Sequence, residues 1–134
     1  MAKLVDIEGI GEAYAAKLKA AGIGTTQALL EKGATPKGRK EIAEQSRISE
    51  KLVLEWVNHA DLFRVKGVGS EYADLLEAAG VDTIPELAQR NGDNLHQAIT
   101  KANEAKKLVR KLPTVEQVKD WIAQAGSLPR LITY

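Results

Sequence analysis

The sequence contains no cysteine, which excludes disulfides, thiolate zinc sites, iron–sulfur clusters and cysteine nucleophiles. Only two histidines occur, His59 and His96, and their wide separation leaves little material for a metal site. No metal and no cofactor is expected. An excess of one charge is also missing, since 19 Lys+Arg stand against 18 Asp+Glu. That balance excludes a protein that coats nucleic acid through bulk positive charge alone. No apolar run approaches the ~18 residues of a membrane span, and residues Met1 to Asp6 form no signal-peptide core. A soluble, cytoplasmic protein is expected. Aromatic residues make up only 4 %, yet hydrophobic residues reach 44 %, enough for a folded core and too many for disorder.

What the sequence does have is a repeat. Residues 7–26 laid over residues 65–84, an offset of 58, give nine identities in twenty positions. These include Gly9/Gly67, Gly11/Gly69, Gly22/Gly80, Tyr14/Tyr72, Leu18/Leu76 and Thr25/Thr83. Alanines and leucines recur in any helical sequence, but shared glycine positions do not follow from composition. The chain is a duplication. The likeness fades and then returns at an offset of 65, where Ser49 to Val57 aligns with Thr114 to Ile122 and Trp56 with Trp121. The second half therefore carries about seven extra residues in its middle. With 134 residues in all, the expectation is one domain, 1–134, made of two repeats, 1–64 and 65–134.

Helix signals are plentiful and strand signals nearly absent. Leu52, Val53, Trp56, Val57 and Ala60 recur at helical spacing, as do Val118, Trp121, Ile122 and Ala125. Ser49 and Thr114 are start signals; Thr114 with Gln117 and Thr83 with Glu86 fit capping boxes, and Thr35 precedes a first-turn proline. Gly22 and Gly80 read as helix-ending glycines, each followed by an apolar residue that packs back. These signals predict helices near 11–21, 26–32, 36–46, 49–63, 70–79, 84–90, 94–108 and 114–125. The predicted fold is all-α.

The segments ending Gly9-Ile10-Gly11 and Gly67-Val68-Gly69 carry the candidate chemistry. Their first glycine permits a positive φ at a helix end, and the apolar residue between the glycines plugs the gap between helices. The second glycine opens the next helix without a side chain, leaving amide N–H groups and the positive end of the helix dipole turned outward. Such an end suits a phosphate oxygen.

Both segments fit the pattern apolar-x-Gly-apolar-Gly-x-x-x-Ala-x-x-Leu through Ala15 and Leu18, and through Ala73 and Leu76. This pattern resembles the helix-hairpin-helix motif. The resemblance implies paired units in a pseudo-twofold domain that grips DNA or RNA backbone without reading sequence. Nearly the whole chain is also similar to a prokaryotic family with two such hairpins, tryptophan helices and a Thr-Tyr ending, to which no function is assigned. On that basis the candidate nucleic-acid-binding residues are Gly9, Ile10, Gly11, Glu12, Ala13 and Lys17 in the first repeat. Their counterparts in the second are Lys66, Gly67, Val68, Gly69, Ser70 and Glu71.

The sequence departs from the nucleic-acid-binding pattern at one informative place. Hairpins of that kind commonly carry Lys or Arg two residues after the second glycine, where this chain has Ala13 and Glu71. A carboxylate there neutralises the helix dipole internally and repels phosphate. Lys17 and Lys66 compensate in part. Two basic groups lie elsewhere. Lys101, Lys106, Lys107, Arg110 and Lys111 would form (i, i+4) ridges on a helix, or simply a solvated helix end. Lys37, Arg39, Lys40 and Arg47 make a weaker group, interrupted by Glu41 and Glu44. Trp56 and Trp121 read as core residues, and Tyr14 and Tyr72 as a seal at the joint between the halves. The tail from Ser127 to Tyr134 is apolar enough to pack on its own core.

Catalysis finds no support. His59 and Asp61 are two apart on a helix and do not face each other, and Gly9-Ile10-Gly11 lacks the strand and third glycine of a dinucleotide loop. A non-enzymatic protein with no catalytic residues is expected. Two readings remain open: sequence-independent binding of nucleic-acid backbone, and an adaptor that binds proteins through helix faces or its tail. If the two repeats fold as one domain, a fragment ending near Leu62 will show no cooperative unfolding, because each half alone buries too little apolar surface. In the full chain, Trp56→Ala should cost about 3–5 kcal/mol in urea denaturation.

Overall fold

The computed structural model describes residues 3–7 and 9–134; Met1, Ala2 and Glu8, the last within the first glycine segment, lie outside them. Among the described residues a 3-10 turn at Leu4–Asp6 is followed by eight α-helices. They are α1 Glu12–Ala20, α2 Thr26–Lys32, α3 Pro36–Ser46, α4 Glu50–Leu62, α5 Ser70–Ala78, α6 Ile84–Ala88, α7 Gly92–Lys106 and α8 Val115–Ser127. No strand occurs among the described residues, and the fold is all-α. None of these helices is long and apolar enough to cross a membrane.

The chain divides into two compact units. One runs to Asp61 and takes in Leu131–Tyr134; the other spans Leu62–Arg130. In the first unit α1 packs against α3 and the 3-10 turn, and α2 against α3. Its buried side chains include Leu18, Ile23, Leu29, Val53, Trp56 and Val57. In the second unit α8 packs against α6 and α7, and α5 against α7. Leu75, Leu76, Leu87, Leu95, Ile99 and Trp121 belong to its core. Both tryptophans are 2 % exposed, as their helical spacing predicts.

Local hydrogen bonding explains where these helices start and stop. Thr25, Thr35, Thr83, Asn91 and Thr114 each accept a backbone N–H at the start of α2, α3, α6, α7 and α8. Ser49 does the same for α4, accepting from Leu52 N–H at 3.2 Å. At Thr114 the predicted capping box is complete, with Gln117 reaching back to the Thr114 N–H at 2.8 Å. At Thr83 it is half made. The Thr83 hydroxyl donates to the Glu86 carboxylate at 3.1 Å, and no capping box closes on the backbone. The ends of α1 and α5 are closed by Gly22 (φ +87°) and Gly80 (φ +95°). Ile23 N–H then donates to Leu18 O at 2.8 Å and Val81 N–H to Leu76 O at 2.9 Å, burying both apolar side chains.

Two readings of basic residues need correction. Arg39 is no phosphate-facing cation: it is 6 % exposed and donates to Gly33 O and Thr133 O, each at 2.8 Å. Its guanidinium also lies 5.7 Å from the centre of the Tyr134 ring. Burial lowers the Arg39 pKa, and charges on Tyr134 and Glu50 oppose the shift. The tail it holds is further fixed by Thr133 N–H donating to Ala34 O at 2.8 Å and by the Tyr134 hydroxyl donating to Asn58 Oδ1 at 2.8 Å. The second correction concerns residues 101–111, which are not one helix. α7 stops at Lys106, Lys107 turns left-handed (φ +51°), and residues 107–114 form a loop.

Two stability predictions follow from this packing. Alanine is favoured over glycine inside helices by about 1 kcal/mol, but a Cβ on Gly38 would run into the Lys32 carbonyl. Gly38→Ala should therefore destabilise, by about 1–3 kcal/mol in urea denaturation. Arg39→Met leaves the buried Gly33 carbonyl without its donor, at about 1–3 kcal/mol, and removes the bond to the more exposed Thr133 carbonyl. It should also speed amide exchange at Thr133, with Arg39→Lys restoring protection only in part because one ammonium lacks the planar fork.

Candidate functional site

Each glycine segment is built on a tryptophan from the last long helix of its own repeat. Gly9 (φ +92°) lies against Trp56, and a Cβ there would stand 3.4 Å from the indole Nε1. Gly67 (φ +94°) lies against Trp121, with the corresponding distance 3.1 Å. Tyr14 packs on Trp56 and Tyr72 on Trp121, each with ring centres 5.2 Å apart. The tyrosines are thus ring partners of the tryptophan in their own unit. Ile10 and Val68 point into the cores, 3 % and 5 % exposed.

The second glycines begin the following helices. Gly11 and Gly69 have ordinary extended backbones and provide no side-chain cap, unlike the residues that start the other six helices. Nothing stands within 4 Å of the position a Cβ would take at either glycine. Glu12 and Ala13 are exposed in the first turn of α1; Ser70 is half-buried and Glu71 exposed in α5. Lys17 is exposed, its ammonium 5.6 Å from the centre of the Tyr14 ring. Lys66 is exposed too, and Gln124 clamps its backbone, accepting its N–H at 2.8 Å and donating to its carbonyl at 3.1 Å. Within each unit the structure keeps the candidate residues together around an open helix start.

In the second unit it also brings something unexpected to that start. Asn103 accepts from Val109 N–H at 2.9 Å and donates to Val109 O at 3.1 Å, folding the basic loop back on α7. The Tyr72 hydroxyl donates to Lys111 O at 3.1 Å. His96 fixes the loop's far end: because a carbonyl only accepts, its Nε2–H donates to Pro113 O at 3.0 Å. Glu71, Tyr72, Asn103, Lys107, Arg110 and Lys111 then share a cleft of about 560 Å³. The sequence alone reads the basic run as a helix face and does not connect it with the glycine segment. The signal available in the sequence was the extra length of the second repeat beside Asn103 and Pro113.

No solved structure matches the chain. A family model described as a domain of unknown function, DUF4332, matches residues 8–128 and so covers both glycine segments and both tryptophan helices. The chain belongs to the DUF4332 family.

Proposed function

We propose that the protein binds the sugar–phosphate backbone of nucleic acid without reading its sequence, through two helix-hairpin-helix units. One observation carries this reading. Six helices start on a Ser, Thr or Asn that caps them, whereas α1 and α5 start on exposed glycines with no side-chain cap and open space in front. Backbone N–H groups at such a start are approachable by a phosphate oxygen, and the helix dipole favours the anion. The carboxylates of Glu12 and Glu71 in the first turns work against it. They favour the second reading, an adaptor that docks a protein partner on the same helix starts.

Charge separates the two. With few cations at the hairpins, fluorescence titration of labelled DNA and RNA should give weak binding whose salt slope corresponds to roughly two to four phosphates. Glu71→Lys and Ala13→Lys should each tighten it, and together act nearly additively. Gly11→Val and Gly69→Val should abolish binding while helical circular dichroism survives, since both positions have negative φ and free space. Gly9→Val and Gly67→Val, at positive φ, should instead lower stability. Absence of binding at low ionic strength, by single strands and duplex alike, moves the assignment to the adaptor.

A further inference from the structure

We infer that the second repeat supplies its missing hairpin cations from the inserted loop, so that the cleft between α5 and residues 107–114 is the main contact for a single nucleic-acid strand. The inference rests on the nucleic-acid reading above and says where and how unequally the two repeats serve it. The repeats match up to a point. α3 ends in a left-handed Arg47 (φ +59°) whose N–H donates to Ala43 O; α7 ends in a left-handed Lys107 (φ +51°) whose N–H donates to Asn103 O. Then they diverge. Residues 47–49 carry the first repeat into α4, whereas residues 107–114 intervene before α8. Where the first repeat has Ala43, the second has Asn103, and the Asn103 amide brackets Val109.

The result is three exposed cations, Lys107, Arg110 and Lys111, facing one carboxylate, Glu71. The loop that carries them is tied down at Asn103, Tyr72 and His96, so less freedom is lost when a ligand orders the cations. About 560 Å³ lies within the range of clefts that hold small ligands, on the scale of a nucleotide unit of a flexible strand. A rigid duplex presents a convex surface and reaches only the rim. A cleft of about 290 Å³ in the first unit has Lys32 and Glu41 in its lining and none of the first repeat's candidate residues. The Lys32 ammonium there donates to Gly22 O at 3.1 Å.

The test uses the full chain and fluorescein-labelled single-stranded and duplex DNA and RNA of equal length, titrated at several salt concentrations. Replacing Lys107, Arg110 and Lys111 together by Gln should weaken single-strand binding about tenfold or more at low salt and reduce the salt slope by about two. Duplex binding should fall less. Lys37→Gln with Lys40→Gln, a control in the first unit, should change little. Asn103→Ala keeps every charge but frees the loop, and should weaken the strand several-fold; unchanged far-ultraviolet circular dichroism would show that the fold persists. If strands bind but the triple variant matches wild type, or falls no further than the control, the cleft is not the site and the hairpins alone carry binding. If wild type binds neither strand nor duplex at low salt, the nucleic-acid reading falls and this inference with it.

Discussion

The constraint on which each repeat depends is a glycine pressed against the nitrogen edge of an indole. Gly9 over Trp56 and Gly67 over Trp121 adopt positive φ, a backbone that residues with a Cβ enter only under strain, and at Gly67 a Cβ would also crowd the ring. The chain reverses direction in the least possible space. Ile10 and Val68 are thereby driven into the core, and the next helix has to begin on the following glycine. Tyr14 and Tyr72 then close over the same indoles from the first turn of that helix. A contact between residues far apart in sequence thus sets the angle at which an open helix start is presented.

An open start costs little. Glycine at the first position is only a few tenths of a kcal/mol worse than a hydrogen-bonding cap, whereas most apolar residues lose about 1 kcal/mol. The carboxylates of Glu12 and Glu71 recover part of the dipole energy. The protein therefore gives up almost no stability to keep two helix ends approachable. The same carboxylates limit how strongly an anion is held there, so firm binding of phosphate requires cations delivered from another element.

Elements whose signals are local were legible in the sequence. Thr35, Ser49, Thr114, Gly22 and Gly80 act within four or five residues of themselves, and the helices they bound lie within a few residues of their predicted limits. The matching glycine and tryptophan positions were legible because shared glycines do not follow from composition. What escaped depended on partners that the local pattern does not reveal. Arg39 reads as a surface cation beside Lys37 and Lys40 until the tail brings the Thr133 carbonyl to it. The run from Lys101 to Lys111 has helical composition, and only the Asn103 amide, satisfied by both polar groups of Val109, turns it into a loop. The packing of Tyr72 on Trp121 escaped because nothing in its sequence neighbourhood announces that partner.

The two glycine segments and the connections that follow them are constrained to different degrees. The glycine–indole contact constrains the backbone of each glycine segment, and Ile23 and Val81 are fully buried with their N–H groups bonded back to Leu18 O and Leu76 O. The connection before the tryptophan helix carried no such constraint. Lengthening it adds loop-closure entropy that grows only slowly with length, and here that cost is offset by the paired bonds of Asn103 and the single bonds of Tyr72 and His96. The added residues therefore became an ordered basic edge rather than a slack one. It lies beside α5, where Glu71 is the opposing charge. The two units thus present helix starts of nearly the same backbone geometry in different electrostatic surroundings.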